Sequence, residues 1–206
     1  ALAVEKMRTK ISRDLHDDLG STLSSISILS GQVKSRLIKQ PETVEPILDK
    51  INESAIKMND SLQDLVWAVK PENDTLQELL VRMEQFASGI LESKNINYTF
   101  TGPTTVSDIK LNPELIRNIY LIFKEAVNNA AKYSNCANVT ITIKEKGKQL
   151  SLSVIDDGIG FNPETVKRGN GLNNMTKRAA QIGGSLNIIS EPNKQNGIVL
   201  ECKITS

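Results

Sequence analysis

Apolar residues recur at helical spacing through the first part of the chain, at Val4, Met7, Ile11, Leu15, Leu19, Leu23, Ile26, Val33 and Leu37. No proline interrupts this run, and Pro41 ends it, because a proline disfavours the α conformation in the residue before it. A second pattern follows at Val44, Leu48, Ile51, Ala55, Met58, Leu62, Leu65 and Val69, with steps that alternate between four and three. That is the a/d spacing of a packed helical seam. Pro46 falls in the first turn of this helix, where a missing N–H is tolerated, and Pro71 closes it. Two such helices joined by a short loop make an antiparallel hairpin. One hairpin has too little core to bury both seams, whereas two copies packed as a four-helix bundle do bury them. The pattern therefore predicts a homodimer with the bundle as its interface. The alternative is a hairpin packed on the rest of its own chain.

The periodicity then changes. Residues 76–93 read as a third helix, with Leu76, Leu79, Leu80, Met83, Phe86, Ile90 and Leu91 on one broad face. Ile96–Phe100 alternates as a short strand and Gly102-Pro103 ends it. Asn112 suits a helix cap and Pro113 a first helical position, so a helix is expected from Pro113 to about Tyr133. Val139, Ile141 and Ile143 alternate with polar residues, as do Leu150, Leu152 and Val154, and Lys146-Gly147-Lys148 between them predicts a β-hairpin. A helix from Leu172 to Ile182 ends at Gly183-Gly184, and strands at Ser185–Ser190 and Gly197–Thr205 complete a sheet. The expected fold class is α+β: an N-terminal helical hairpin forming a dimeric four-helix bundle, then a sheet with its helices on one face. The boundary is expected in the charged, proline-containing stretch at residues 69–75, giving domains 1–70 and 76–206.

Composition narrows the partners. The 206 residues allow two small domains, and 25 Lys plus Arg against 24 Asp plus Glu give no reason to expect a nucleic acid. Cys136 and Cys202 form neither a disulfide framework nor a metal-ligand spacing, which fits reduced cysteines of an intracellular protein. No apolar run approaches the roughly 20 residues that span a bilayer, so this stretch is expected to make no membrane contact. The chain opens at Ala1 inside a helical pattern, as a fragment of a longer protein would.

Three short motifs in the second domain carry candidate chemistry. Asp156-Asp157-Gly158-Ile159-Gly160 follows a buried strand, where a carboxylate can accept a hydrogen bond from an exocyclic amine and the glycines let the backbone approach a flat ligand. Gly169-Asn170-Gly171-Leu172 opens a helix, whose N–H groups and dipole suit phosphates. Phe161–Arg168 between them has the glycine-flanked composition of a hinged lid. On the helix before, Glu125, Asn129 and Lys132 are four and three apart, hence on one face. An amide oxygen there can ligate magnesium beside phosphates, and a lysine can offset phosphate charge. Taken singly, each also reads as an ordinary turn, helix start or solvated face.

Together, in this order and on these elements, the motifs resemble the Bergerat ATP-binding fold, an α/β sandwich shared by histidine kinases, DNA gyrase, heat-shock chaperones and mismatch-repair ATPases. The resemblance covers about residues 75–206. It implies that Asn129 ligates Mg2+ and that Asp156 binds the adenine amino group of ATP. Glu125, Lys132, Gly158, Gly160, Gly169 and Gly171, with Leu172 following, would line the phosphate and lid region. Many members carry Thr after the glycine of the late strand, whereas here Ile198 follows Gly197.

His16 is the only histidine, in Arg13-Asp14-Leu15-His16-Asp17-Asp18-Leu19-Gly20. It adjoins the apolar stripe without belonging to it, which predicts exposure on the flank of the bundle. Gly20 lies one turn onward, and a mid-helix glycine costs roughly 1 kcal/mol relative to alanine, a cost that clearing room for a large reactant would explain. A lone exposed histidine is usually incidental, but neutral imidazole is nucleophilic and largely uncharged near neutral pH. The octapeptide resembles the phosphoacceptor motif of the histidine kinases that include nitrate sensors and the desaturase thermosensor, over about residues 5–70. By that resemblance His16 is phosphorylated and Asp17 is its acid/base partner. A glutamine often found five residues after the histidine is Ser21 here, so the resemblance does not extend to the group that dephosphorylates the partner.

The sequence is thus expected to be the cytoplasmic core of a sensor histidine kinase whose parent is membrane-anchored, using ATP and Mg2+ to phosphorylate His16 and passing the phosphoryl group to an aspartate on a response-regulator receiver domain. A Bergerat-fold ATPase that drives a clamp motion and a non-catalytic dimeric nucleotide-binding scaffold are the alternatives. On this reading the chain sediments as a dimer at micromolar concentration, and a monomer under those conditions would exclude the bundle.

Overall fold

The computed structural model describes residues 20, 22–37, 40–69, 75–105, 110–160, 170–190 and 196–204. His16, Asp17, Ser21, Gly169 and the expected lid Phe161–Arg168 lie outside the described residues. The chain divides into two compact units, Ala1–Val66 and Trp67–Ser206.

In the first unit, helix α1 covers residues 22–36 and α2 spans Glu45–Val69, joined through a 3-10 turn at Pro41–Thr43. The turn is closed by bonds from Thr43 N to Gln40 O and from Val44 N to Pro41 O. Val44 and Ile47 are buried beside it, whereas Leu23, Ile28, Leu48 and Ile56 on the helices, and Leu37 just after α1, are exposed. No helix among the described residues is long and apolar enough to cross a membrane.

The second unit is built on a five-stranded sheet. Its strands are β1 (Asn97–Thr101), β2 (Asn138–Lys146), β3 (Gln149–Asp156), β4 (Ser185–Ile189) and β5 (Asn196–Lys203), in the order β1-β2-β3-β5-β4. β1 runs parallel to β2 and every other pair is antiparallel. Strand residues alternate between the faces, so register stacks the inward residues into rows. Phe100, Ile141, Val154, Ile198 and Ile188 make one row, and Ile143, Leu152, Leu200 and Leu186 the next. Helices α3 (Leu76–Glu92), α4 (Pro113–Asn129) and α5 (Asn170–Gln181) pack against this face. The α+β class holds, with the helices on one side of the sheet.

Local chemistry sets the helix starts. Thr75 caps α3 by accepting from the Glu78 N–H at 3.2 Å, and Asn112 caps α4 by accepting from the Glu114 N–H at 2.8 Å, with Pro113 in the first turn. Two helix boundaries differ from the sequence expectation by two residues or more. α5 begins at Asn170, two residues before Leu172. The helix expected to run on to Tyr133 is α-helical only to Asn129 and continues as a π-helical turn over Ala130–Ser134, ended by Asn135 in the left-handed region at φ 53°. Inside that turn the Ser134 hydroxyl bonds back to the Ala130 carbonyl at 2.7 Å.

Trp67 packs with the second unit although α2 belongs mainly to the first. The Arg82 guanidinium lies 4.5 Å from the centre of the Trp67 ring and 4.8 Å from that of Tyr120. The two rings are themselves 5.8 Å apart, and Phe86 meets both Tyr120 and Phe123 edge-on. Cation–π and aromatic contacts of this kind carry roughly 0.5–2 kcal/mol each.

Phe123 of α4 is fully buried in the core, edge-on to Phe86 of α3. Phe123→Ala is expected to destabilise the second unit by about 3–5 kcal/mol, measured as a lower denaturant midpoint at unchanged slope. A loss within 1 kcal/mol would show that the site collapses around the cavity.

Candidate functional site

The site begins where the apolar rows of the sheet stop. The row after Phe100–Ile141–Val154–Ile198 contains Tyr98, Val139, Asp156 and Asn196. Two polar side chains therefore stand on the helix-covered face, at the last residue of β3 and the first of β5. Asp156 is 8% exposed and Asn196 is 3% exposed. Burial of a carboxyl disfavours its charged form, and desolvation raises the Asp156 pKa. The bond from Gly158 opposes this, the neighbouring Asp157 charge adds to it, and the Ser134 hydroxyl again opposes it.

The loop after Asp156 is fixed from several directions. The Gly158 N–H donates to Asp156 Oδ1 at 3.0 Å, and the Asn196 amide Nδ2 donates to the Gly158 carbonyl, also at 3.0 Å. The Ile159 N–H donates to the Ser134 carbonyl at 2.8 Å, so the π-helical turn supplies the acceptor on the other side. Space explains both glycines. A Cβ on Gly158 would overlap the Ser134 carbonyl oxygen and Cβ, and one on Gly160, which has φ +65°, would lie 2.6 Å from Asn196 Oδ1.

Asp157, next to the desolvated Asp156, behaves oppositely. Its carboxylate is exposed and accepts from the Asn138 side-chain amide at 2.7 Å and from the Ala137 and Asn138 N–H groups at 2.9 Å each. The Asn138 side-chain amide, followed by its backbone N–H, lowers the Asp157 pKa. Asp157 N in turn donates to the Asn138 carbonyl at 3.2 Å. This clamp ties the loop to the start of β2. Cys136 lies half-buried in the same region, its thiol pKa raised first by desolvation.

A second cluster lies at the start of α5. A Cβ on Gly171 would overlap Glu125 Oε1, so the Glu125 carboxylate sits against the backbone of the first turn, where the helix dipole favours a negative group. Asn129, one turn on along α4, is half-buried, as is Leu172. Lys132 is exposed and belongs to the π-helical turn, so the three-residue spacing from Asn129 no longer defines a shared α-helical face.

Of the residues singled out from sequence, the structure brings Asp156, Gly158 and Gly160 together in one cluster and Glu125 and Gly171 in another. Gly20 is helical, and a Cβ built on it would meet nothing within 4 Å. Among the described residues no group of three or more His, Cys, Asp or Glu could hold a metal. Sequence reasoning missed Asn196, Ser134 and the clamp of Asp157. Asn196-Gly197 reads as a turn dipeptide, and only the pairing of β3 with β5 places it beside Asp156.

A carboxylate with a lowered folded pKa stabilises the fold above its unfolded pKa of about 3.9, and that stability is lost as pH falls through the folded value. Asp157→Ala is therefore expected to melt at a lower temperature than the parent at pH 7. The gap should close as pH falls from about 5 towards 2, as read by thermal unfolding across that range. A gap independent of pH would show that the charge on Asp157 contributes nothing to the clamp.

Comparison with known proteins gives the family. The family described as "Histidine kinase" matches residues 8–91, and that described as "Histidine kinase-, DNA gyrase B-, and HSP90-like ATPase" matches residues 114–206. The sensor histidine kinase DesK of Bacillus subtilis is 30% identical over 185 residues, covering 89% of this chain and 48% of that protein. The sensor histidine kinase LiaS of the same organism is 25% identical over 202 residues, covering 98% of this chain and 54% of the relative. The chain thus spans about half the length of these curated relatives. Among solved structures, the Acinetobacter baumannii histidine kinase AdeS superposes with a TM-score of 0.61 at 15% identity, over 88% of this chain and 96% of that one. Full-length ShkA in complex with AMPPNP gives 0.61 at 17% identity, over 96% and 46% of the two chains. At these identities the structures speak to the fold alone. With adjacent matches that between them take in most of its length, and with relatives aligned across both segments, the chain is similar to sensor histidine kinases in both of its parts.

Proposed function

We propose that this chain is the catalytic core of a two-component sensor kinase, which binds ATP, phosphorylates its own His16 and passes the phosphoryl group to an aspartate of a response-regulator receiver domain. The observation that carries the nucleotide half is the Asp156 carboxyl: desolvated at the end of a strand, held by the Gly158 N–H, and followed by glycines that leave the backbone bare. A rigid acceptor of that kind suits the exocyclic amine of adenine, and the AMPPNP held by ShkA supports a nucleotide for this fold.

Glu125, Asn129, Lys132, Gly169, Gly171 and Leu172 are assigned to the phosphate end, where the start of α5 offers N–H groups to anions. The donors fit magnesium, which takes a few hard protein oxygens together with phosphate and water: Asn129 supplies an amide oxygen one turn from the Glu125 carboxylate. Magnesium bound there would offset charge on the phosphates. Lys132, exposed in the π-helical turn that follows α4, is assigned to offset the same charge.

In the transfer, a lone pair of a His16 ring nitrogen forms the N–P bond as the bond from the γ-phosphorus to the bridging oxygen breaks. ADP leaves with that electron pair, and Asp17 takes the proton from the other ring nitrogen. Such a reaction is catalysed mostly by positioning and charge stabilisation. Residues 1–70 are assigned as the dimerisation and phosphoacceptor domain and 76–206 as the ATP-binding domain. Exposed Leu23, Ile28, Leu48 and Ile56 on the hairpin support a second copy as their cover. A cytoplasmic position beneath a membrane-anchored parent completes the proposal.

Incubation with γ-labelled ATP tests it. Acid-labile, base-stable label is expected on the chain and absent from His16→Ala. Free phosphate without labelled protein would favour an ATPase instead, and neither product would leave a nucleotide-binding scaffold.

A further inference from the structure

Asn196 is a buried polar side chain with no part in the assignments above. It stands directly across from Asp156 in the β3–β5 ladder and is 3% exposed. Its Nδ2 donates to the Gly158 carbonyl at 3.0 Å, and its Oδ1 fills the space a Cβ on Gly160 would need. One amide thus contacts both glycines of the Asp-x-Gly-x-Gly loop.

The peptide joining Gly158 to Ile159 is gripped at both ends. Its carbonyl is held by Asn196, and its N–H is held by the Ser134 carbonyl at 2.8 Å. The peptide on the other side of the Gly158 Cα carries the N–H that bonds to Asp156 Oδ1. Between these two peptides stands a residue without a Cβ, whose φ and ψ are weakly restrained by its own sterics. The direction of the N–H that orients Asp156 therefore depends on how firmly the next peptide is held.

We infer that Asn196 is a positioning residue for base recognition, fixing the Gly158–Ile159 peptide so that the Asp156 carboxyl is held in the orientation that accepts the amino group of adenine. This rests on the assignment of Asp156 as the adenine acceptor. It makes selectivity for a 6-amino purine a property of two strands, β3 for the acceptor and β5 for its alignment. The phosphate end, built from α4 and α5, is untouched by it.

The test measures binding of ATP and of inosine triphosphate, which carries a carbonyl in place of the amine, to the whole chain by calorimetry. Asn196→Ala is expected to weaken ATP roughly tenfold, the equivalent of one well-formed hydrogen bond, while leaving inosine triphosphate affinity unchanged. The preference for ATP thereby collapses. A preference that survives, or a parallel loss for both nucleotides, overturns the inference, because a merely structural role would act on both alike. If Asn196→Ala does not fold, Asn196→Asp is read in the same way. It keeps the volume beside Gly160 but turns an acceptor towards the Gly158 carbonyl, and the same collapse is expected. Asp156→Ala separates the two claims. Preference lost there but kept in the Asn196 variants refutes the positioning role alone, whereas preference kept in Asp156→Ala removes the adenine assignment and the inference with it.

Discussion

A carboxyl taken out of water at the end of a β-strand is the constraint around which the second unit is arranged. Left unpaired, such a group costs several kcal/mol, and the Asp156 pKa moves upward in response. The surrounding chain offsets part of that cost with a loop amide from Gly158 and the nearby Ser134 hydroxyl. What remains is a polar group whose surroundings are fixed before any ligand arrives. Binding then requires little reorganisation, which is where preorganised sites gain affinity.

Several otherwise separate features follow from this constraint. The inward rows of the sheet are apolar until they reach Asp156 and Asn196, so the end of the core is also the start of the site. α4 ceases to be α-helical just where its chain must present the Ser134 carbonyl to the loop, and π-helical turns are frequent at functional sites for this kind of reason. Asp156 and Asp157 share a sequence motif and sit in opposite electrostatic settings, one desolvated and one in water with three donors. The pair puts one residue type in two environments, and Asp157 anchors the loop to the start of β2.

Much of this was legible in the sequence. The alternation of Val139 to Ile143 and Leu150 to Val154 gave the hairpin, Asn112-Pro113 gave the start of α4, and the glycines at 158 and 160 marked a loop that needs bare backbone. These are local signals, set by spacing and by individual side chains. What escaped was non-local. Strand order brings β5 beside β3, so Asn196 becomes a neighbour of Asp156 although the two stand 40 positions apart, and nothing in Asn-Gly itself says so. The π-helical turn was invisible because Ala130–Ser134 has no helix breaker. Its geometry is set by Asn135 in the left-handed region and by contacts with the loop.

The placement of Trp67 has an optical consequence. The chain has one tryptophan, and its indole lies under a guanidinium at the residue where the helical unit gives way to the sheet-bearing one. Its ultraviolet emission is thus a native gauge of how Trp67 packs on Arg82 and Tyr120, with no label introduced. Because the ring touches Arg82 of α3 and Tyr120 of α4, a change in its colour or intensity would register a disturbance carried through those two helices.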